Sequence, residues 1–152
     1  MRISNSELAA GTLGSPQEKI EQTEYHFAAA QAESALSSSM PHCERSITPV
    51  EKFTEYSLDY SNPKARGKAE AYERGLGFTK ENAEELIRQV HEAVTSGAVH
   101  PYEVSQSDFG YKYKFRIPIT GPNGSTKNVI AVYQIDNGSS IPRMITNYLE
   151  GR

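Results

Sequence analysis

The chain has 152 residues, a formal net charge of −3 and one cysteine, Cys43. This length allows one domain with a real core and an appendage, but not two large domains. The single cysteine excludes an intrachain disulfide. No apolar run reaches the roughly 20 residues of a membrane helix, and the N-terminus lacks the apolar core of a signal peptide, so we expect a soluble chain without a membrane segment.

The first third of the chain is expected to be a helical appendage and a linker. Ser15-Pro16-Gln17-Glu18 has the order of a helix start, with serine as N-cap and proline at the first helical position. A helix over residues 16–37 is therefore predicted, and residues 37–49, rich in Ser and Pro, are interpreted as a linker. We divide the chain into an appendage, residues 1–48, and a domain, residues 49–152.

Three helices are predicted inside the domain. Thr48-Pro49-Val50-Glu51 has the order of a helix start and leads into Phe53, Tyr56 and Leu58. Asn62-Pro63 precedes a helix over residues 64–74, which glycines end. The strongest helix signal covers residues 80–96, with Thr79 as its cap. Apolar side chains recur there at helical spacing, at positions 83, 86, 87, 90 and 94.

The remainder of the domain is predicted to be a β-meander. From 111 to 119 the odd positions are Tyr, Tyr, Phe, Ile and Ile, while the even positions up to 116 are Lys, Lys and Arg. Asn-Gly pairs at 123–124 and 137–138 favour hairpins, and residues 102–107 add a further strand. The predicted class is α+β, with N-terminal helices packed on one face of an antiparallel β-meander of about four strands. We expect the other sheet face to stay open.

Several short motifs follow one another through the domain. They are Asn62-Pro63-Lys64 with Gly67-Lys68-Ala69, Gly77-Phe78-Thr79, Pro118-Ile119-Thr120-Gly121-Pro122-Asn123-Gly124, and Pro142-Arg143 with Thr146-Asn147-Tyr148. In this order, over residues 50–149, the chain resembles a small bacterial domain found alone and at the C-termini of secreted polymorphic toxins, including contact-dependent inhibition proteins. Its layout, with Thr-x-Tyr on the last strand, is similar to the barnase/EndoU/colicin/RelE group of RNase folds.

The resemblance implies a toxin that cleaves RNA, often tRNA, in the cytoplasm of a competitor cell without a cofactor. It also implies a cognate immunity protein as partner, and some relatives use translation elongation factors as partners. Delivery would depend on a larger secreted or cell-surface protein. Residues 1–48 would then be the tail of an entry region.

The candidate catalytic residues lie on the third predicted helix, at the first strand and on the meander. RNA cleavage without a metal ion requires a base for the ribose 2′-hydroxyl, an acid for the leaving oxygen and cations around the phosphorus. We expect Lys68 and Lys112 to hold the phosphate, Thr146 to orient it, and Tyr148 to hydrogen-bond or stack a base. His100, at the entrance to the first strand, is the candidate acid or base.

Four further cations are candidates for binding RNA, and they are Lys64, Lys114, Arg116 and Arg143. Within residues 101–149 five basic side chains accompany three acidic ones, so the meander is locally basic. No His, Cys and carboxylate cluster has the spacing of a zinc site, so we expect no metal.

A second class of function fits the same residues. The basic strand is also typical of an ordinary solvated sheet face, and Thr146 and Tyr148 are common strand residues. The alternative is therefore a non-catalytic binding or structural module of a secreted bacterial protein, which uses its basic sheet face. An immunity or antitoxin protein is a third interpretation, although such proteins are usually more acidic than residues 51–152.

Overall fold

A four-stranded antiparallel sheet is the largest element of the computed structural model, which describes residues 40–151 of the chain. Its strands lie side by side in chain order. They are β1 (Glu103–Ser107), β2 (Gly110–Thr120), β3 (Thr126–Asp136) and β4 (Arg143–Leu149). The predicted meander is confirmed. The predicted helix over residues 16–37 lies outside the described residues.

Residues 40–151 also contain two α-helices, α1 (Arg66–Leu76) and α2 (Ala83–Thr95). The predicted α+β class is therefore confirmed, while the placement of the helices on one face stays a prediction. Before α2, a 3-10 turn begins after Thr79, whose N–H donates to the Asn82 side-chain oxygen at 2.7 Å. The predicted Thr79 cap is therefore present at the 3-10 turn that leads into α2, as half of a capping box in which the Thr79 and Asn82 side chains each accept a backbone N–H.

A short helical segment between residue 50 and α1 has an unusual form. Residues Phe53–Ser57 form a π-helical turn. The Leu58 N–H donates to the Phe53 carbonyl at 2.8 Å, five positions earlier in the chain. A π turn is wider than an α turn and is frequent at functional sites. The side chains of this turn, including that of Tyr56, therefore point in other directions than an α-helical spacing of the sequence would predict.

Most of the predicted core positions of β2 and α2 are buried, while Tyr111 and Ile87 are half-buried. In β2 the buried side chains are Tyr113, Phe115, Ile117 and Ile119, and in α2 they are Ala83, Leu86, Val90 and Val94. The ring of Phe115 meets that of Tyr133 in β3 edge to face, with centroids 5.8 Å apart, a geometry that aromatic quadrupoles favour. Gln89 joins α2 to β2, since its side-chain amide exchanges two hydrogen bonds with the Thr120 backbone at 2.9 and 3.1 Å.

The central strand β3 is buried on both faces, which differs from the expected open second face. Ile130 and Val132 retain 2 % and 4 % of their exposure although they alternate with the core positions. β3 has a neighbour on each side, and the register flanks Ile130 with Arg116 and Tyr148. The apolar stems of long amphipathic side chains, such as Arg116 and Tyr148, can cover a shorter aliphatic side chain that lies between them. The second face is therefore polar at its margins and apolar at its centre.

The described part of the segment assigned to the linker, residues 40–48, pairs with the sheet. Met40 retains 1 % exposure. Ile47 forms a parallel bridge beside β4, donating its N–H to Pro142 O and accepting the Met144 N–H, both at 2.9 Å. Thr48 Oγ1 lies 2.6 Å from the hydroxyl of buried Tyr133, whose pKa burial raises to about 12. These contacts fix the position of the segment that leads into the π-helical turn.

The C-terminal end of α1 meets the β2–β3 turn at very short range. The Leu76 carbonyl accepts the Asn123 N–H at 3.2 Å, which satisfies one of the carbonyls that a helix end leaves free. Gly121 lies against this contact, and a side chain there would overlap the backbone of Leu76. The turn requires glycine at this position because there is no room for a side chain.

We predict that Gly121→Ala lowers the free energy of unfolding by about 1–3 kcal/mol, the usual cost of overpacking. Urea denaturation measures the change. Gly67→Ala is the matched control, since nothing lies within 4 Å of the added methyl group there. Because alanine is the better helix former, this control should be neutral or stabilise the protein by up to about 1 kcal/mol. Equal effects of the two substitutions would contradict the close contact.

Candidate functional site

A lysine surrounded by hydroxyl groups and aromatic rings lies where α1 meets β4. Lys68 Nζ donates to Thr146 Oγ1 at 3.1 Å and lies 3.5 Å from the hydroxyl of Tyr56. The same nitrogen is 4.5 Å from the centre of the Tyr56 ring and 5.5 Å from that of Tyr148. Both distances are within the range of cation–π attraction, and each such contact contributes about 0.5–2 kcal/mol. We call these four residues the Lys68 cluster.

The backbone of β4 aims two members of the cluster at the same side. Thr146 pairs with Val132 and Tyr148 with Ile130, while Asn147 between them pairs with Ala131. Side chains alternate along a strand, so Thr146 and Tyr148 share one face and Asn147 projects from the other. A bulge at Ile145 shifts the register immediately before them. Bulges of this kind commonly redirect side chains next to functional sites.

Asn147 connects β4 to the two segments that carry the other members of the cluster. The side chain has no exposure. Its Oδ1 accepts hydrogen bonds from the hydroxyls of Ser57 at 2.7 Å and Tyr72 at 2.8 Å, and its Nδ2 donates to Lys52 O at 3.2 Å. Ser57 belongs to the π-helical turn that carries Tyr56, and Tyr72 belongs to α1, as Lys68 does. One buried amide therefore holds three chain segments at the cluster.

Lys68 differs in its electrostatic surroundings from three cations on the sheet, Lys114, Arg116 and Arg143, which pair with carboxylates. Lys114 lies 3.7 Å from a Glu103 carboxylate oxygen. Arg143 donates to Asp136 at 2.7 Å. Within residues 40–151 no carboxylate lies within ion-pairing distance of Lys68. Its charge is therefore compensated by π faces and hydroxyl oxygens, which leaves it able to attract an anion.

The register arranges the predicted sheet cations in rows across the strands. Directly opposed residues of an antiparallel ladder project to the same face. Lys114 shares a row with Val132 and Thr146. Lys112 shares the next row with Gln134 and Arg143. The structure therefore brings Thr146 and Tyr148 together with Lys68, and leaves Lys112 one row away.

Arg116, a predicted RNA-binding cation, is engaged by an aromatic ring and a carboxylate. Its guanidinium carbon lies 4.1 Å from the centre of the Tyr102 ring. Its Nε donates to Glu150 Oε2 at 2.9 Å and Oε1 at 3.1 Å, and a terminal nitrogen lies 2.9 Å from Oε2 as an ion pair. Burial raises the pKa of the Tyr102 hydroxyl, and the negative charge that Tyr148 carries when ionised raises this pKa further. We call Tyr102, Arg116 and Glu150 the Tyr102 platform.

Two predicted site residues lie apart from the cluster. His100 is exposed in the loop before β1, and no contact joins it to the Lys68 cluster within the part of the chain that the structure describes. Lys64 is exposed in the turn before α1, where its N–H donates to the Asn62 side chain at 3.0 Å. Their catalytic and RNA-binding roles stay predictions.

Tyr56, Tyr102 and Asn147 are site residues that the sequence alone does not predict. Tyr56 lies on a π-helical turn, and no residue periodicity announces such a turn. Tyr102 directly precedes a strand, where an aromatic residue is ordinary. Asn147 stands between the two residues of the Thr-x-Tyr motif. The one sequence signal for Asn147 was its position as a polar residue between two predicted site residues.

Residues 40–151 hold neither a metal-binding cluster nor a membrane-spanning helix. There, no group of three or more His, Cys, Asp and Glu side chains is arranged to hold a metal ion. None of the helices in this part of the chain has the length and hydropathy of a membrane-spanning helix.

The fold and the cluster define an α+β domain with a lysine-centred surface site. Residues 39–151 match the family described as "Domain of unknown function (DUF6883)", and the chain belongs to this family. No curated protein matches the chain significantly. No solved structure does so either.

We predict that Asn147→Leu lowers the free energy of unfolding by about 2–5 kcal/mol. The substitution leaves the Tyr72 hydroxyl buried without an acceptor, which costs about 1–3 kcal/mol, and it removes the hydrogen bonds from Ser57 and to Lys52 O, each of which contributes about 0.5–1.5 kcal/mol. The Ser57 hydroxyl can still donate to Lys52 O at 3.1 Å. Adding Tyr72→Phe removes the unsatisfied donor, so the double variant should recover part of the loss. Urea denaturation of the wild type, the two single variants and the double variant gives the coupling free energy between Asn147 and Tyr72. Additive losses would contradict the role of Asn147 as a shared acceptor.

A second prediction concerns the Arg143–Asp136 pair. Hydrogen bonding from Arg143, with a smaller contribution from Gln134, holds the Asp136 pKa below its ordinary value. The stability from this pair is thus present above the ordinary carboxyl pKa, and it is lost as the pH falls through the lowered one. Arg143→Met should return the Asp136 pKa towards about 3.9 in an NMR titration.

The internal control for this titration is Asp59. Its pKa is lowered by hydrogen bonds from Ser61, so Arg143→Met should leave it unchanged. An Asp136 pKa that stays low in the variant would show that Arg143 is free of Asp136 in solution and available to an anion.

Proposed function

We propose that this domain is a ribonuclease that cleaves RNA, with tRNA as its preferred substrate, through the Lys68 cluster. The observation that carries the proposal is the position of Lys68 Nζ, 3.1 Å from Thr146 Oγ1 and beside two tyrosine rings. No carboxylate of residues 40–151 neutralises it. A cation and a hydroxyl held together in this way suit a phosphate diester.

The proposed reaction is an internal transesterification. The ribose 2′-oxygen attacks the adjacent phosphorus, the bond to the 5′-oxygen breaks, and the products end in a 2′,3′-cyclic phosphate and a 5′-hydroxyl. Lys68 offsets the additional negative charge on the phosphorane, and the Thr146 hydroxyl donates to a non-bridging oxygen. The 5′-oxygen receives a proton from the Lys68 ammonium group, and the 2′-proton passes to the base that we propose, the phenolate form of Tyr148.

The biological setting that we propose follows the resemblance to polymorphic toxin domains. The domain would be delivered as part of a larger secreted or cell-surface protein, and would act in the cytoplasm of a target cell. A cognate immunity protein would neutralise it, and a translation elongation factor is a further proposed partner. The resemblance supports this setting.

One observation favours a second candidate, a non-catalytic module that binds an anionic partner. Within the described residues neither an imidazole nor a carboxylate contacts the Lys68 cluster, and Lys114, Arg116 and Arg143 are paired with carboxylates as on an ordinary protein surface. Such a module would lose affinity in graded steps as cations are removed, with a matching change in salt dependence. An enzyme loses turnover at once.

We predict that Lys68→Met slows single-turnover cleavage of total bacterial tRNA, in EDTA, by roughly 100- to 1000-fold, the usual effect of removing one transition-state donor. Methionine keeps the apolar stem that packs between the rings, so the variant should stay folded. Thr146→Val should cost roughly 10- to 100-fold, since it removes one hydrogen bond to a charged group.

Arg66→Met is the matched control, because it removes one exposed positive charge from the same helix two positions away from Lys68. Residues two apart on a helix do not face each other, so this variant should keep the wild-type rate. Intact tRNA with the folded wild-type chain, with and without added bacterial extract as a source of an activator, would contradict the proposed function. An unimpaired Lys68→Met variant would move the chemistry to another site.

A further inference from the structure

We propose that the Tyr102 platform stacks an unpaired nucleobase of the RNA whose phosphate the Lys68 cluster holds. The inference rests on the proposed function and adds the class of substrate, a single-stranded segment. It assigns Tyr102 and Arg116 to base binding. The alternative for Arg116, a contact to phosphate, was the sequence-based expectation.

The electrostatics of the platform favour stacking over phosphate binding. Glu150 accepts a hydrogen bond from Arg116 Nε with each of its carboxylate oxygens and forms an ion pair with the guanidinium, which compensates the positive charge. A compensated guanidinium attracts phosphate weakly, but its planar surface remains suited to stacking on rings. Tyr102 retains 38 % exposure with the guanidinium in place, so ring surface remains for a base. Lys68, in contrast to Arg116, has no carboxylate partner within residues 40–151, so its positive charge is available to a phosphate.

The platform is built rigidly enough to act as a surface for a flat ring. The Tyr102 N–H donates at 2.8 Å to the carbonyl of Lys114, which the register already pairs with Glu103, so Tyr102 is tied to β2 immediately before β1 begins. Glu150 continues β4, donating its N–H to Asn128 O at 2.9 Å. Asn128 also donates from its side chain to Glu150 Oε1 at 3.2 Å. Tyr102 and Glu150 are therefore held by backbone pairing, which lowers the ordering cost of binding a base.

The sheet register connects the platform to the Lys68 cluster. Tyr148 pairs with Ile130, and Ile130 pairs with Arg116. The row crosses two strand spacings, roughly 10 Å, with the buried apolar Ile130 between. A single strand can lie along such a row with a phosphate at Lys68 and a base on Tyr102. A duplex offers its bases only as stacked, paired edges, so it cannot use the platform.

The test measures RNA binding by the full chain with two probes. One is a fluorescein-labelled single strand of about ten nucleotides, fully 2′-O-methylated so that the proposed reaction cannot consume it, and the other is a blunt duplex of the same length. Tyr102→Ala should weaken single-strand binding by about 5- to 100-fold, the usual effect of losing one stacked base. Tyr102→Phe, which keeps the ring, should bind as the wild type does.

Salt dependence separates stacking from charge. Tyr102→Ala should leave the slope of log K against log salt unchanged, while Lys68→Met should reduce its magnitude by about 0.7, the value for one phosphate contact on a single strand. Tyr102→Leu is a second variant that keeps bulk without a π face and should bind as poorly as the alanine variant. Circular dichroism confirms folding of each.

The outcomes for the platform and for the ribonuclease are distinct. Single-strand binding that Tyr102→Ala does not weaken, or equal affinity for the duplex, overturns the platform whether or not unmodified RNA is cleaved. Binding that depends on Tyr102, with unmodified RNA left intact by the wild type, supports the platform and contradicts the proposed ribonuclease. Binding and cleavage that both depend on Tyr102 support the two together.

Discussion

The buried amide of Asn147 is the constraint on which the geometry of the site depends. It accepts two hydroxyl donors and donates to a backbone carbonyl, so β4, α1 and the π-helical turn are joined through one side chain. Buried polar groups are costly unless all their hydrogen bonds are formed, which gives such a junction one strongly preferred arrangement. Because Thr146 and Tyr148 are its neighbours in β4, the same arrangement fixes where their side chains stand relative to Lys68.

A second level of organisation is the distribution of charge across the sheet. The cations of β2 and β4 that pair with carboxylates keep the surface near neutrality, while Lys68 is held by hydroxyls and rings. Exposed ion pairs contribute little to stability, so their main effect here is to compensate the charge of these three cations. An anionic ligand bound at Lys68 also contacts the aromatic surface beside it. The proposed roles of the Lys68 cluster and the Tyr102 platform follow from this division.

The elements with regular periodicity were predictable from the sequence. The helical spacing of Leu86, Val90 and Val94 predicts α2, and the alternation from Tyr113 to Ile119 predicts β2, because burial of one face imposes each period. Lys68, Thr146 and Tyr148 were grouped through the family resemblance, since no spacing rule connects residues this far apart. The pairing of Arg116 with Glu150 and the placement of Tyr56 on a π-helical turn depend on tertiary contacts, which leave no local pattern.

The most direct test of the central claim, that the Lys68 cluster supports transesterification of RNA, is to identify the ends of the product. The full chain is incubated with bacterial tRNA in EDTA, and the fragments are analysed by mass spectrometry. The account predicts fragments that end in a 2′,3′-cyclic phosphate, each matched by a partner with a 5′-hydroxyl. Fragments with 3′-hydroxyl and 5′-phosphate ends would require a different reaction, and intact tRNA with folded protein would contradict the account.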